Sequence, residues 1–223
     1  MSFIHTVIVP GVGGSDTQHW QTWLQKQLPY SSRVQQQDWH LPMLSKWVAN
    51  LVSHIKQISE PIQIIAHSFG CLTTIAALNQ YPELKKHIRS ILLVAPANPA
   101  RFSQHGFALA HENLSPLFMH YQLDLPALMV VSENDPWLSY DDAIHYAAYW
   151  KTPYINQGMA GHINVASGFG PWPQVWEYIQ QLHCQTTDSS HTTALQTITK
   201  HASLLAIASN RLDKEYLCHA HLV

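Results

Sequence analysis

Residues 62–70 constrain this chain more than any other stretch. Ile62-Gln63-Ile64-Ile65 is a short run rich in β-branched residues, and such a run reads as a strand buried on both faces. From Phe69 onward the apolar period changes, with Leu72, Ile75, Ala76 and Asn79 sharing one helical face. Between strand and helix stands Ala66-His67-Ser68-Phe69-Gly70. A sharp strand-to-helix turn there forces Ser68 into a strained conformation and lifts its hydroxyl above the sheet. It also requires small residues at 66 and 70, because the chain passes close to itself on both sides. The pattern is that of a nucleophile elbow, with Ala66 in place of the usual first glycine. Such a turn aims the first helical N–H groups at the point where negative charge would develop. A small-x-Ser-x-Gly string also arises by chance; its setting between a buried strand and an amphipathic helix gives it weight, and it demands an acid and then a histidine further along.

The flanking segments fit an alternation of strands and helices. Residues 3–9 read as the first strand, ending in Pro10-Gly11-Val12-Gly13-Gly14-Ser15. That loop is neither G-x-G-x-x-G nor a P-loop, so a nucleotide site is not indicated; ahead of the elbow it suits a second oxyanion donor. Ser15 and Gln18 have capping-box spacing for a helix that buries Trp20, Trp23 and Leu24. Residues 32–37 read as a polar edge strand, and residues 43–58 as a helix with Leu44, Trp47, Val48, Leu51, Val52, Ile55 and Ile58 on one stripe. Further strands are expected at 88–95, 127–131 and 153–156, with helices over 137–149 and after Pro171-Trp172-Pro173. Residues 97–124 have no clean period and leave room for a small cap, or for an ordinary crossover helix.

Two later segments supply the acid and the base. Asp135 lies just past the 127–131 strand and before Pro136, a residue suited to the first helical position. Its plain structural role would be a helix N-cap. Glu133 is the rival acid; Asp135 is preferred because its shorter side chain orients an imidazole at lower entropic cost. Beyond Asp135, His145 falls within a helix and His183, His191, His201, His219 and His221 lie at or beyond the last helix. His162, in Gly161-His162-Ile163-Asn164, is the one histidine on a loop after a strand. The order Ser68, Asp135, His162 is the one the elbow requires.

Composition narrows the class further. Among 223 residues, 12% are charged and the formal net charge is −2, so nothing points to nucleic acid or to an anionic membrane. Three widely spaced cysteines argue for a reducing compartment rather than a disulfide framework. The N-terminal stretch lacks a basic segment and its apolar run is too short for a signal or a membrane span. The expectation is a cytoplasmic protein. Sixteen histidines invite a metal reading, but no H-E-x-x-H or C-x-x-C spacing is present and no metal is expected. Cys71, one turn into the elbow helix, reads as core.

The sequence resembles the small serine-hydrolase family that includes retinoblastoma-binding protein 9, within the α/β-hydrolase superfamily. The likeness covers roughly residues 4–182. It rests on Val9-Pro-Gly11 through Gly14-Ser15, His19-Trp20-Gln21, Gln37-Asp38-Trp39, the elbow, Ser132 to Asp135-Pro136, and Gly161 to Asn164. The resemblance implies an α/β fold: a doubly wound, mostly parallel sheet of about six strands flanked by helices, with little or no cap. It also implies a Ser68–His162–Asp135 triad and no cofactor. The backbone N–H groups of Phe69 and Val12 are then the expected oxyanion donors. Gly11, Trp137 and Trp39 are expected about the substrate pocket, with core packing as the other role for the tryptophans. His67 is assigned to packing.

The expected activity is cleavage of a small carboxylic ester or related acyl compound through an acyl-enzyme. The alternatives are a catalytically idle hydrolase fold used to bind protein, and the same triad acting on amides or peptides. Residues 1–183 are read as the catalytic domain. Residues 184–223 are read as an extension, with a polar linker and a weak amphipathic helix through which an oligomer could form.

Overall fold

The computed structural model describes residues 3–184; the expected C-terminal extension, apart from Cys184, lies outside them. Six strands form one parallel sheet: β1 (His5–Val9), β2 (Ser31–Arg33), β3 (Ile62–Ser68), β4 (Ile88–Pro96), β7 (Ala127–Val131) and β8 (Tyr154–Asn156). They stand in the order β2-β1-β3-β4-β7-β8, with every neighbouring pair parallel. After β2 the chain returns past β1 to lay down β3, so the direction of winding reverses between β1 and β3. In open parallel sheets, ligands bind beyond the carboxyl ends of the strands at such a reversal. The loop after β1 and the elbow after β3 both emerge there.

Period-two alternation sorts the strand side chains onto two cores. Ile62, Ile64 and Ala66 of β3, Ile91 and Leu93 of β4, and Met129 and Val131 of β7 face one layer. That layer contains α2 (Leu44–Ile55), α3 (Phe69–Gln80) and α5 (Tyr140–Tyr149). Ile65, Leu92, Leu128 and Val130 face the other, against α1 (Trp20–Gln27) and a last helix over residues 175–184. Every residue of β3 is buried, which is why the consecutive residues Ile64, Ile65 and Ala66 are all apolar instead of alternating with polar ones.

The crossover from β4 to β7 carries a hairpin, β5 (Phe102–Ser103) and β6 (Gly106–Phe107), and a single-turn helix, α4 (Ser115–Met119). This is a small cap rather than a second domain.

Several boundaries differ from the sequence expectation. β2 covers three residues instead of 32–37, because the chain turns from β1 toward α2, where Gln36 Nε2 donates to Trp47 O at 3.3 Å. The N-cap of α1 is His19, whose Nδ1 accepts from Gln21 N–H at 3.1 Å. Ser15, the expected cap, instead adopts φ 53° and donates its hydroxyl to Gln21 Oε1 at 2.7 Å. Helix α5 starts at Tyr140, not 137: Ser139 is its cap and accepts from Asp142 N–H. Asp135 is therefore not an N-cap, although its Oδ1 accepts Trp137 N–H at 2.8 Å.

Candidate active site

At the end of β3 the backbone of Ser68 takes φ 54° and ψ −123°, a conformation that L-residues avoid. The turn holds because its surroundings leave no alternative. A methyl group on Gly70 would lie 2.3 Å from Val9 O, and one on Gly11 would lie 2.6 Å from Ser68 Cβ. Both glycines are needed for close backbone approach. Ala66 is accommodated because its methyl enters the core beside α2 and α3.

The elbow presents Ser68 to a histidine 94 residues away. Ser68 Oγ–H donates to His162 Nε2 at 2.8 Å, and His162 Nδ1–H donates to Asp135 Oδ1 and Oδ2, each at 2.9 Å. The imidazole and the carboxylate are almost wholly enclosed, their side chains 7% and 4% exposed. Glu133, the rival acid, faces away and accepts from Asn156 Nδ2 at 2.8 Å.

Two loops are laced together to hold this geometry. Asn134 Oδ1 accepts from Gly161 N–H at 2.7 Å, and Ser132 Oγ accepts from Ala160 N–H at 3.0 Å. Glu133 N–H donates to Gly158 O at 2.8 Å. From the cap side, Arg101 Nη2 donates to Pro136 O at 2.8 Å, and its guanidinium lies 4.8 Å from the centre of the Trp137 ring. The acid is thus braced on both sides.

The main chain of the histidine loop is held from below. His67 Nε2–H donates to His162 O at 3.0 Å, and Trp20 Nε1–H to Ile163 O at 2.9 Å. His67 therefore does more than fill space. Burial, with His162 and His19 as neighbours, holds its pKa well below the ordinary value, so it stays neutral. Gln21, fully buried, donates its amide to Val9 O at the end of β1 and to Ile65 O in the middle of β3, joining the two strands. The sequence carried a signal for these groups in His19-Trp20-Gln21 and in Ser132 to Pro136, without revealing their partners.

A cleft of about 360 Å³ opens over Ser68. Val12, Phe102 and Trp137 form apolar parts of its wall, while Asp16, His19 and Asn164 add polar groups. Trp137, one of the expected pocket residues, borders the cleft and is 38% exposed. Trp39 does not line the cleft: its ring covers Gly14 and meets Trp47 edge-on at 5.5 Å. Gly11 serves the site by close approach to Ser68 rather than as a wall. Trp172 is core, edge-on to Trp20 at 5.2 Å. Phe69 N–H begins α3 immediately after Ser68. In the neighbouring loop Gly13 N–H is used by Trp39 O and Gly14 N–H by Gly11 O, while Val12 borders the cleft. Cys71 is core as expected, its thiol donating to Val94 O and its pKa pushed up by burial. Among the described residues no group of three His, Cys, Asp or Glu side chains could hold a metal ion.

A parallel sheet whose central strand ends in an elbow serine, with an acid and a histidine on later strand-end loops, defines an α/β-hydrolase. The serine hydrolase family matches residues 6–181, and the chain belongs to that family. It is a hydrolytic enzyme of the serine hydrolase type. Among solved structures, a YdeN-like hydrolase from Pectobacterium atrosepticum is 31% identical, with a TM-score of 0.71 over 82% of this chain and 92% of that one. The ydeN gene product of B. subtilis is 19% identical, with a TM-score of 0.63 over 82% of this chain and all of that one. Est1E from Butyrivibrio proteoclasticus, solved with ferulic acid bound, shares the fold at 13% identity and a TM-score of 0.57, over 82% and 90% of the two chains. No curated protein matches the chain.

Proposed function

We propose that the protein cleaves a small carboxylic ester or related acyl compound through Ser68, His162 and Asp135, by way of an acyl-enzyme and without a cofactor. The observation that carries this reading is the unbroken chain from Ser68 Oγ through both ring nitrogens of His162 to the Asp135 carboxylate. His162 Nε2 takes the hydroxyl proton as Ser68 Oγ attacks the carbonyl carbon. Asp135 fixes the tautomer and stabilises the imidazolium, which then returns the proton to the leaving oxygen. Phe69 N–H, at the start of α3, and Val12 N–H are the oxyanion donors in this scheme, and such a donor typically lowers the barrier by about 3 kcal/mol. Water then repeats the sequence on the acyl-enzyme. Each proton and charge is handled by these groups, so the chemistry calls for no metal or redox centre.

The same reading puts the enzyme in a reducing compartment, the cytoplasm, and its support is the three widely spaced cysteines, whose number and spacing do not suit a disulfide framework. No helix among the described residues is long and apolar enough to cross a membrane. The test is labelling of the pure protein with a fluorophosphonate, with Ser68→Ala as control. Labelling of the native chain and none of the variant is expected. Equal labelling of both, or of neither, would favour a binding role for the fold.

A further inference from the structure

The cleft holds polar groups that acyl transfer leaves unused, His19 and Asp16 among them. Because His19 Nδ1 accepts Gln21 N–H, the proton of the neutral ring sits on Nε2. The residue is only 6% exposed and lines the cleft. Trp47 Nε1 is the single fully enclosed side-chain polar atom without a partner among the described residues. His19 Nε2 bonds to none of them either, so it opens on the cleft. Burial lowers its pKa to about 4, against a smaller opposing pull from Asp16. His19 is therefore a fixed donor at neutral pH.

Asp16 lines the same wall. Its Oδ1 accepts from Gln18 N–H at 2.8 Å and His19 N–H at 3.1 Å, and its carboxylate has no ion-pair partner among the described residues. The cleft thus offers a donor from His19 and an acceptor from Asp16, three positions apart in the chain. The rings of His19, His67 and His162 follow one another at 4.9 and 5.0 Å. His162 must return its proton to the departing alcohol, so the wall beside it receives the alcohol half of an ester. Val12 and Phe102 offer apolar surface for the acyl half. A hydroxyl group on the alcohol would accept from His19 and donate to Asp16 at once.

We propose that His19 and Asp16 form a polar subsite selecting esters whose alcohol carries a further hydroxyl group, such as a polyol monoester. This rests on the ester-cleaving reading above. The acyl group is held constant by comparing glyceryl monobutyrate with propyl butyrate, following acid release by titration for the native chain and for Ser68→Ala, His19→Asn and His19→Gln. Asn retains an acceptor where Nδ1 caps α1 but has nothing at the Nε2 position; Gln reaches that position. The native enzyme is expected to favour the glyceryl ester in kcat/KM by about tenfold or more, the effect of one neutral hydrogen bond to His19 and one to the Asp16 carboxylate. His19→Asn should bring the ratio toward one, chiefly through KM, and His19→Gln should recover part of it. Ser68-dependent turnover with equal native kcat/KM for the two esters would overturn the subsite and leave the ester reading standing. So would a ratio unchanged in His19→Asn, or His19→Gln no better than His19→Asn. No Ser68-dependent turnover of either ester would overturn the ester reading and the subsite with it.

Discussion

His67 donates its side-chain N–H to the main-chain carbonyl of His162 at 3.0 Å, so the residue preceding the elbow serine holds the loop that carries its partner. Strand β3 therefore sets both ends of the Ser68–His162 contact. Replacing His67 by Leu leaves a buried carbonyl unpaired, at about 1–3 kcal/mol. We expect a lower urea midpoint and a fall in kcat of tenfold or more with KM little changed, measured by urea titration and steady-state kinetics. A kcat equal to that of the native enzyme would show that the loop holds its place without this bond.

Asp135 and Glu133 are two residues apart, yet only one faces the imidazole. Asp135→Asn should reduce kcat by about 10⁴-fold, as expected when the histidine loses its orienting carboxylate. Glu133→Gln should change kcat by no more than a few-fold, since Asn156 is its partner. Parallel kinetics on the two variants decide the assignment.

The elbow glycines should differ sharply from Ala66 in tolerance. Gly70→Ala drives a methyl to 2.3 Å from Val9 O, a backbone atom that cannot move without disturbing β1. A loss of about 3 kcal/mol or more is expected, at the upper end of overpacking. Ala66→Gly, which removes one core methyl and adds backbone freedom, should cost about 1–2 kcal/mol. Chemical denaturation of both variants tests the contrast.

Acid should weaken the fold through its buried imidazoles. His19, His54 and His67 all have lowered pKa values, burial being the largest cause in each. The folded state favours the neutral rings, whereas the unfolded chain binds protons near pH 6.5. Their contribution is thus present above about 6.5 and is lost as pH falls toward the folded values. For His19 that window runs down to about 4, corresponding to a contribution on the order of 3 kcal/mol. Urea midpoints should fall between pH 7.5 and pH 5, and His19→Asn should flatten the slope.

Much of this arrangement could be read from residue patterns because it is local. Ile62–Ile65 followed by Leu72, Ile75 and Ala76 marks a strand meeting a helix, and the small residues at 66 and 70 mark the sharp turn. Chain order then placed Asp135 and His162 on loops after strands. What escaped was set by distant partners. Ser15 has the spacing of a cap, but Gln21, anchored on β1 and β3, takes its hydroxyl. Trp39 looked like a pocket wall until Gly14 and Trp47 claimed its faces. The tie from His67 to His162 spans 95 positions, and no periodicity reports such a bond.

Phe102 of the cap hairpin rests on Phe69 with ring centres 4.5 Å apart, so the wall of the cleft and the residue after Ser68 share one aromatic contact. Grafting a different hairpin onto this scaffold to admit bulkier acids would disturb the elbow as well as the wall. An aromatic ring retained at position 102 is the condition under which such redesign could alter selectivity while leaving turnover in place.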